Sequence, residues 1–243
     1  MWSTPDVNVL AFDTCFSSCS VAISASRDGG APRIAAEHRA MDTGHAEALI
    51  PMIERVARMA GVSLSQIDRI IVTNGPGTFT GIRTGVAAAR SLALATGAEI
   101  VAVSSLWAIA AGVIEAGSLG AGLDAMIVAM DARKGQIFAQ VISISGRELD
   151  EPRLLEADQV AGLFPELCVA VIGTGAAAVT AASQAAGRTL FHSNPATFSA
   201  SPDAKHLLAA ADRSSIAYPL LPQYLRPPDA KPQADKSLPW STT

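Results

Sequence analysis

With 243 residues, 49% of them hydrophobic and 16% charged, the chain has ample apolar surface for one large core or two small ones, which excludes wholesale disorder. A formal charge of −4 and 5% aromatic residues argue against an unaided grip on a phosphate backbone, so a role in RNA chemistry would draw much of its positive surface from another subunit. Cys15, Cys19 and Cys168 form neither a CxxC nor a zinc spacing, and they are expected as buried, reduced thiols in a cytoplasmic protein with no signal peptide and no membrane span.

The first strand is expected over 7–13 and its hairpin neighbour over 18–25, followed by a third strand over 33–40 after the Asp28-Gly29-Gly30 turn. Helical spacing then runs over 45–59, with Leu49, Met52, Ile53, Val56 and Ala60 on one stripe. A β-branched run at 68–73 reads as a strand. A long helix over 79–96 is closed by Gly97, and a strand at 100–103 leads into a helix at 105–115. A second pass follows: strands at 124–131 and 136–145, an extended piece at 153–155, a helix at 158–165, a strand at 168–172 and helices at 176–186 and 203–212.

Two landmarks recur at strand ends, Phe12-Asp13-Thr14 against Met130-Asp131-Ala132 and Asn74-Gly75 against Ile172-Gly173. The pattern predicts an internal duplication of β-β-β-α-β-α-β-α order with a trimmed second copy. The expected units are 1–104, 105–225 and a Pro-rich mobile tail over 226–243.

The most informative segment is Asn74-Gly75-Pro76-Gly77-Thr78-Phe79-Thr80-Gly81-Ile82-Arg83-Thr84-Gly85, placed where a strand ends and a helix begins. Gly75 and Gly77 allow close backbone approach, Pro76 stiffens the turn, and Thr78 is placed to cap the helix. Exposed amides there could hold an anion. Gly81, Thr84, Gly85 and Ala88 equally could let another helix approach closely. It is neither a P-loop nor a GxGxxG fingerprint, so a phosphate cradle and a packing device both stay open. The helix at 45–59 is apolar more than half way round, with Ile50, Ala57 and Met59 beside the main stripe. Together with the small-residue face of the next helix, Leu49, Met52, Ile53 and Val56 therefore suggest a docking surface, the alternative being an internal core. His45 has no second histidine one turn along and reads as a surface or capping residue.

Ala11-Phe12-Asp13-Thr14, Ser20-Val21-Ala22, the Gly75-to-Gly85 run, Ser104-Ser105-Leu106, Asp131-Ala132-Arg133-Lys134-Gly135 and Tyr224-Leu225-Arg226 occur in that order. Together, over residues 7–226, they resemble the TsaB family, which helps to install threonylcarbamoyl on the adenosine beside the tRNA anticodon. Thr78 stands where that family often has serine. The resemblance implies an α/β chain of duplicated actin-like ATPase (ASKHA) fold with two mixed-sheet subdomains. It implies pairing with the catalytic paralogue TsaD, action beside the ATPase TsaE, contact with tRNA through the complex, and room for a homodimer when the chain is alone. TsaD carries an HxxxH metal motif, and its two histidines would fall here at Ser105 and Ile109, so no metal site and no catalytic residue are expected. No cofactor is expected to bind tightly, with ATP or ADP and Mg entering only within the complex.

Actin-like ATPases keep an aspartate near the nucleotide's metal at the position of Asp13. Asp13, Thr14, Gly75, Gly77 and Thr78 are accordingly the candidates for nucleotide or anion contact, with a brace for the loop as Asp13's other reading. Asp131, Arg133 and Lys134 form the matching turn of the second half, facing either the cleft or solvent. The competing functions are a stand-alone Mg-ATP kinase or ATPase, for which no convincing base is present, and a peptidase, which lacks both a nucleophile pair and a metal spacing.

Overall fold

The computed structural model describes residues 7–26, 30–188, 190–192, 201–210 and 219–226. The expected 28–30 turn, the end of the last helix at 211–212 and the tail beyond Arg226 lie wholly or largely outside them.

The first half runs β1 (Val9–Asp13), β2 (Ser18–Ala25), β3 (Arg33–Ala40), α1 (His45–Ala60), β4 (Arg69–Thr73), α2 (Phe79–Thr96), β5 (Glu99–Val103) and α3 (Ser105–Glu115). The second runs β6 (Ala125–Asp131), β7 (Gln136–Ser143), β8 (Arg153–Glu156), α4 (Ala157–Ala161), β9 (Val169–Ile172), α5 (Ala176–Ala185), β10 (Phe191–His192) and α6 (Ala204–Ala210). The element order is the same in both. So is the sheet plan: β3-β2-β1-β4-β5 in one, β8-β7-β6-β9-β10 in the other. In each, the first strand is antiparallel to the second and parallel to the fourth. The duplicated actin-like plan is therefore present in full. β10, two residues long, is the one strand the sequence reading did not contain.

Local chemistry explains the element ends. Thr78 caps α2 by accepting a hydrogen bond from the Gly81 amide, and Gly97 ends it in the left-handed region at φ 77°. Ser104 caps α3, its hydroxyl accepting from the Leu106 and Trp107 amides. β1, β4, β6 and β9 are covered on both faces and carry continuous apolar runs, whereas the edge strand β3 exposes Arg33, Glu37 and Arg39 in part or whole, which discourages further strand pairing.

Among the described residues three apolar clusters form the interior. One lies between the first sheet and α1 with α2, and another between the second sheet and α4 with α5. The largest lies between the sheets, where Ala11 and Ile71 of one meet Met126, Val128 and Ile142 of the other around Trp107. Its two helices are exchanged. α3, which follows the last strand of the first half, packs on β6 and β7 of the second sheet, while α6 packs on β1 and β2 of the first. The expected boundary at 104/105 puts α3 with the second sheet, on which it packs, whereas α6, within the expected second unit, packs on the first. Among the described residues no helix is long and apolar enough to cross a membrane.

The expected docking face on α1 needs correction. Leu49, Met52, Ile53 and Val56 are all buried in the chain's own core, against side chains such as Leu10, Phe12 and Val21. The wide apolar arc is consumed internally because α1 lies across β2 and β3 and also touches α2. The outward face of α1 carries Glu47, Pro51, Glu54 and Arg58, with Ile50 and Met59, 42% and 50% exposed, on the two flanks of the buried stripe.

Candidate functional site

β1 and β4 are parallel neighbours, with Phe12 beside Val72, so the turns after them meet at the carboxyl end of the sheet, where open α/β sheets place their ligands. Asp13 is fully buried there. The Thr73 hydroxyl donates to its Oδ1 at 2.5 Å, and the Cys15 amide donates at 3.3 Å to either carboxylate oxygen. Burial pushes its pKa from 3.8 up to about 7, against the pull of these hydrogen bonds. Burial, then the charge of Asp13, drives the Cys15 thiol well above its ordinary range, and burial raises Cys19 to about 12, so neither is a ready nucleophile.

The raised pKa has a defined sign. The folded state holds the proton more tightly than the unfolded chain, so this contribution to stability is fully present below about pH 3.8 and is lost as pH rises through about 7. Asp13→Asn removes the titration. Urea unfolding of both proteins at pH 4 and pH 8 should show the difference in unfolding free energy moving in the variant's favour by roughly 3 kcal/mol across that interval. A difference independent of pH would mean that Asp13 is not buried as a raised-pKa carboxyl.

The glycines of the second turn face the chain's own backbone. An added Cβ would lie 2.3 Å from the Cys15 carbonyl oxygen at Gly77, 1.9 Å from the Thr14 carbonyl oxygen at Gly81 and 2.8 Å from Thr14 Oγ1 at Gly85. The Thr14 hydroxyl donates to the Gly81 carbonyl at 2.7 Å, and the Thr78 amide donates to the Cys15 carbonyl at 2.7 Å. The β1–β2 turn is seated on the small face of α2, which is therefore a joint within the chain. Of the five residues named for anion contact, Asp13, Thr14 and Gly75 are buried, Gly77 is half-buried and Thr78 is exposed. Of the α2 residues named for docking, Gly81 and Gly85 are buried under that turn, while Thr84 and Ala88 stay half-buried.

A segment not anticipated as structure closes the site. Over 219–226 the chain returns to the β4–α2 turn: the Asn74 side-chain amide donates to the Pro219 and Leu221 carbonyls at 3.2 Å, and the Gln223 amide donates to the Asn74 carbonyl at 2.8 Å. Gly75, at φ 118°, admits this strap, since an added Cβ would lie 2.7 Å from the Gln223 oxygen. Arg90 donates to the Leu220 carbonyl at 2.6 Å, and Arg83 Nε donates to the Tyr224 hydroxyl at 2.7 Å. Tyr224-Leu225-Arg226 had stood out in the sequence only as a landmark. Its long-range partners have no local signal.

The matching turn of the second half differs. Asp131 is exposed; its amide donates to Thr174 Oγ1 at 2.9 Å and its Oδ1 accepts from the Arg133 amide at 2.7 Å. Arg133 and Lys134 lie in the left-handed region at φ 64° and 55°, ahead of Gly135 at 76°, and form the hairpin tip between β6 and β7. Gly173 again serves close packing, with its Cβ position 2.4 Å from the Ala129 carbonyl oxygen. His45 is buried, contrary to the expected surface or capping role: its Nε2 bonds the Phe16 carbonyl at 3.0 Å, and Gly44 holds the cap position. Ser105 is fully buried and donates to the Pro76 carbonyl, while Ile109 lies in the central core. Among the described residues no group of three or more His, Cys, Asp or Glu side chains could hold a metal ion.

Residues 19–218 match the family model described as TsaD: tRNA N6-adenosine threonylcarbamoyltransferase. The tRNA threonylcarbamoyladenosine biosynthesis protein TsaB of Escherichia coli K12 is 31% identical over 132 residues, 54% of this chain and 53% of that protein. The protein of the same name from Haemophilus influenzae is 30% identical over 138 residues, 56% and 55% of the two chains. The chain thus spans about half the length of these two curated relatives. An uncharacterized protein of Mycobacterium tuberculosis H37Rv is 30% identical over 230 residues, 93% of this chain and 95% of that one. Among solved structures, YeaZ from Pseudomonas aeruginosa superposes with a TM-score of 0.71 at 26% identity, covering 90% of this chain and all of that one.

Proposed function

Since the chain belongs to the TsaB family, we propose that it is a partner subunit, without catalysis of its own, in forming threonylcarbamoyladenosine on tRNA. In this reading its counterpart is the catalytic paralogue TsaD, with which it forms a heterodimer, and the ATPase TsaE acts beside them. The observation that carries the division of labour is the state of the first turns of α3. The positions aligned by resemblance with TsaD's two metal-binding histidines are Ser105, committed to the Pro76 carbonyl, and Ile109, enclosed in the core. Neither offers a free ligand atom.

Nucleotide, as ATP or ADP with Mg, then belongs to the assembled complex. In the lone chain Thr73 and Cys15 already occupy the Asp13 carboxylate, and the strap lies over Asn74 and Gly75. The test is threonylcarbamoyl transfer to tRNA in a reconstituted mixture of TsaD, TsaE and the adenylate-forming enzyme, with this chain added or omitted. Transfer should fall by at least about tenfold on omission. Full transfer without the chain, or Mg-ATP turnover by the chain alone, would overturn the reading.

The pairing surface in this proposal lies along α1 and α2, which touch each other, where Ile50 and Met59 on opposite flanks of α1 and Leu94 on α2 stand exposed. Ile50→Glu and Met59→Glu, made singly because they lie on opposite flanks of α1, should each keep the melting temperature of the native chain, and at least one should weaken TsaD binding by at least about tenfold, as read by titration calorimetry. Undiminished binding in both would move the interface elsewhere.

A further inference from the structure

We infer that the strap and the β6–β7 hairpin form a contact surface for single-stranded RNA on this subunit. The inference rests on the reading of the chain as part of a tRNA-modifying complex and goes beyond it, because a net charge of −4 points to other subunits for much of the positive surface.

The surface is continuous by its own hydrogen bonds. At the start of α2 the Phe79 and Tyr224 rings stack with centroids 4.9 Å apart, and the Arg83 guanidinium lies 3.6 Å from the Phe79 centroid. Phe79 is 45% exposed and Tyr224 40%, so the stack, braced by Arg83, keeps part of both rings in contact with solvent. Two residues on, within about 7 Å of backbone, Arg226 donates to the Arg133 carbonyl at 2.9 Å and to Gln136 Oε1 at 2.8 Å. That bond places the strap against the hairpin tip, where Arg133 and Lys134 are exposed. Arg83, Arg226, Arg133 and Lys134 are thus linked through the strap from the first half to the second, Arg226 half-buried and the other three exposed. The acids that the same strands bring to the hairpin are Asp131 and Glu156, two against four.

An exposed ring flanked by guanidinium groups, continuing into a basic hairpin, is what unpaired nucleotides require. Bases stack on the ring while cations neutralise the phosphates, without any sequence code. The left-handed tip suits this use, since it turns two adjacent basic residues outward at a place where Asn or Gly would fit the backbone more comfortably. An anticodon loop is such a single-stranded target, whereas a duplex offers no free base to Tyr224.

The experiment uses the full chain bound to TsaD and reads fluorescence anisotropy of an anticodon stem–loop RNA, with the closed stem duplex as control. Arg133→Asn, Lys134→Asn removes two charges and suits the left-handed backbone, so the fold is kept. It should weaken binding about tenfold and reduce the slope of log affinity against log salt by about 1.4, at roughly 0.7 per lost phosphate contact. Tyr224→Ser should weaken binding about fivefold with the salt slope unchanged, and Tyr224→Phe should bind within about twofold of the native complex. Native affinity and slope in all three variants would overturn the inference. So would equal loss on the duplex control, or loss of TsaD binding without RNA, which would make the stripe a protein interface. Dependence of tRNA modification on the native chain is measured separately, so failure of the stripe and failure of the subunit reading are told apart.

Discussion

Ile53→Lys is expected to leave no cooperatively folded chain at 25 °C. Ile53 is fully buried between α1 and the first sheet, in the cluster that holds Leu10, Phe12, Val21 and Ile23. Truncating such a side chain alone costs about 2–5 kcal/mol, and placing an unpaired ammonium there adds several more. A domain with a total stability of about 5–15 kcal/mol does not withstand that sum. Far-UV circular dichroism and urea titration should show a chain without a sigmoidal transition. Ile50→Lys, one turn earlier on an exposed flank, should unfold within about 0.5 kcal/mol of the native chain. If Ile53→Lys folds normally and merely loses its partner, α1 is not seated on the sheet as described.

Gly81→Ala is the second large effect, and its sign runs against helix propensity. In an ordinary helix interior the change stabilises by about 0.5–1 kcal/mol. Here the new methyl would sit 1.9 Å from the Thr14 carbonyl oxygen, in a turn fastened to the same residue by the 2.7 Å bond from the Thr14 hydroxyl. Neither backbone can withdraw without breaking the joint that also seats Cys15 and Asp13. The loss should reach about 3 kcal/mol or more by urea unfolding. Gly120→Ala, with no atom within 4 Å of the added Cβ, should be close to neutral. A stabilised Gly81→Ala would show that α2 and the β1–β2 turn are further apart.

Much of the fold was legible because its signals are local. The ends of α2 and α3 agree with the sequence reading to the residue, since Thr78, Gly97 and Ser104 carry the caps. β10 was not, because two residues have no period to read. The apolar excess on α1 was visible, but its use was not. Whether Met52 faces a partner or a core depends on how closely β2 and β3 approach the helix, which no residue of α1 encodes by itself. The glycine run was likewise visible as a motif. Its role was set by what arrives from β1, namely the Thr14 and Cys15 carbonyls. The strap was the least legible part. Asn74 finds Pro219 and Leu221 through backbone carbonyls 145 and 147 residues away, a pairing that leaves no trace in side-chain pattern.

The exchange of α3 and α6 makes the two copies inseparable in the energetic sense. Two copies joined only by a linker melt as independent units, yet each sheet here is completed by a helix encoded in the other half. Strip away the second half and β1 and β2 lose the cover of α6 while α3 is left without its sheet. Neither copy can open without exposing the hydrophobic interior of its twin, so calorimetry would meet one heat-absorption peak. The loop between α3 and β6 is then a poor place to split the chain into autonomous fragments, but a suitable place for two fragments to find and complement each other.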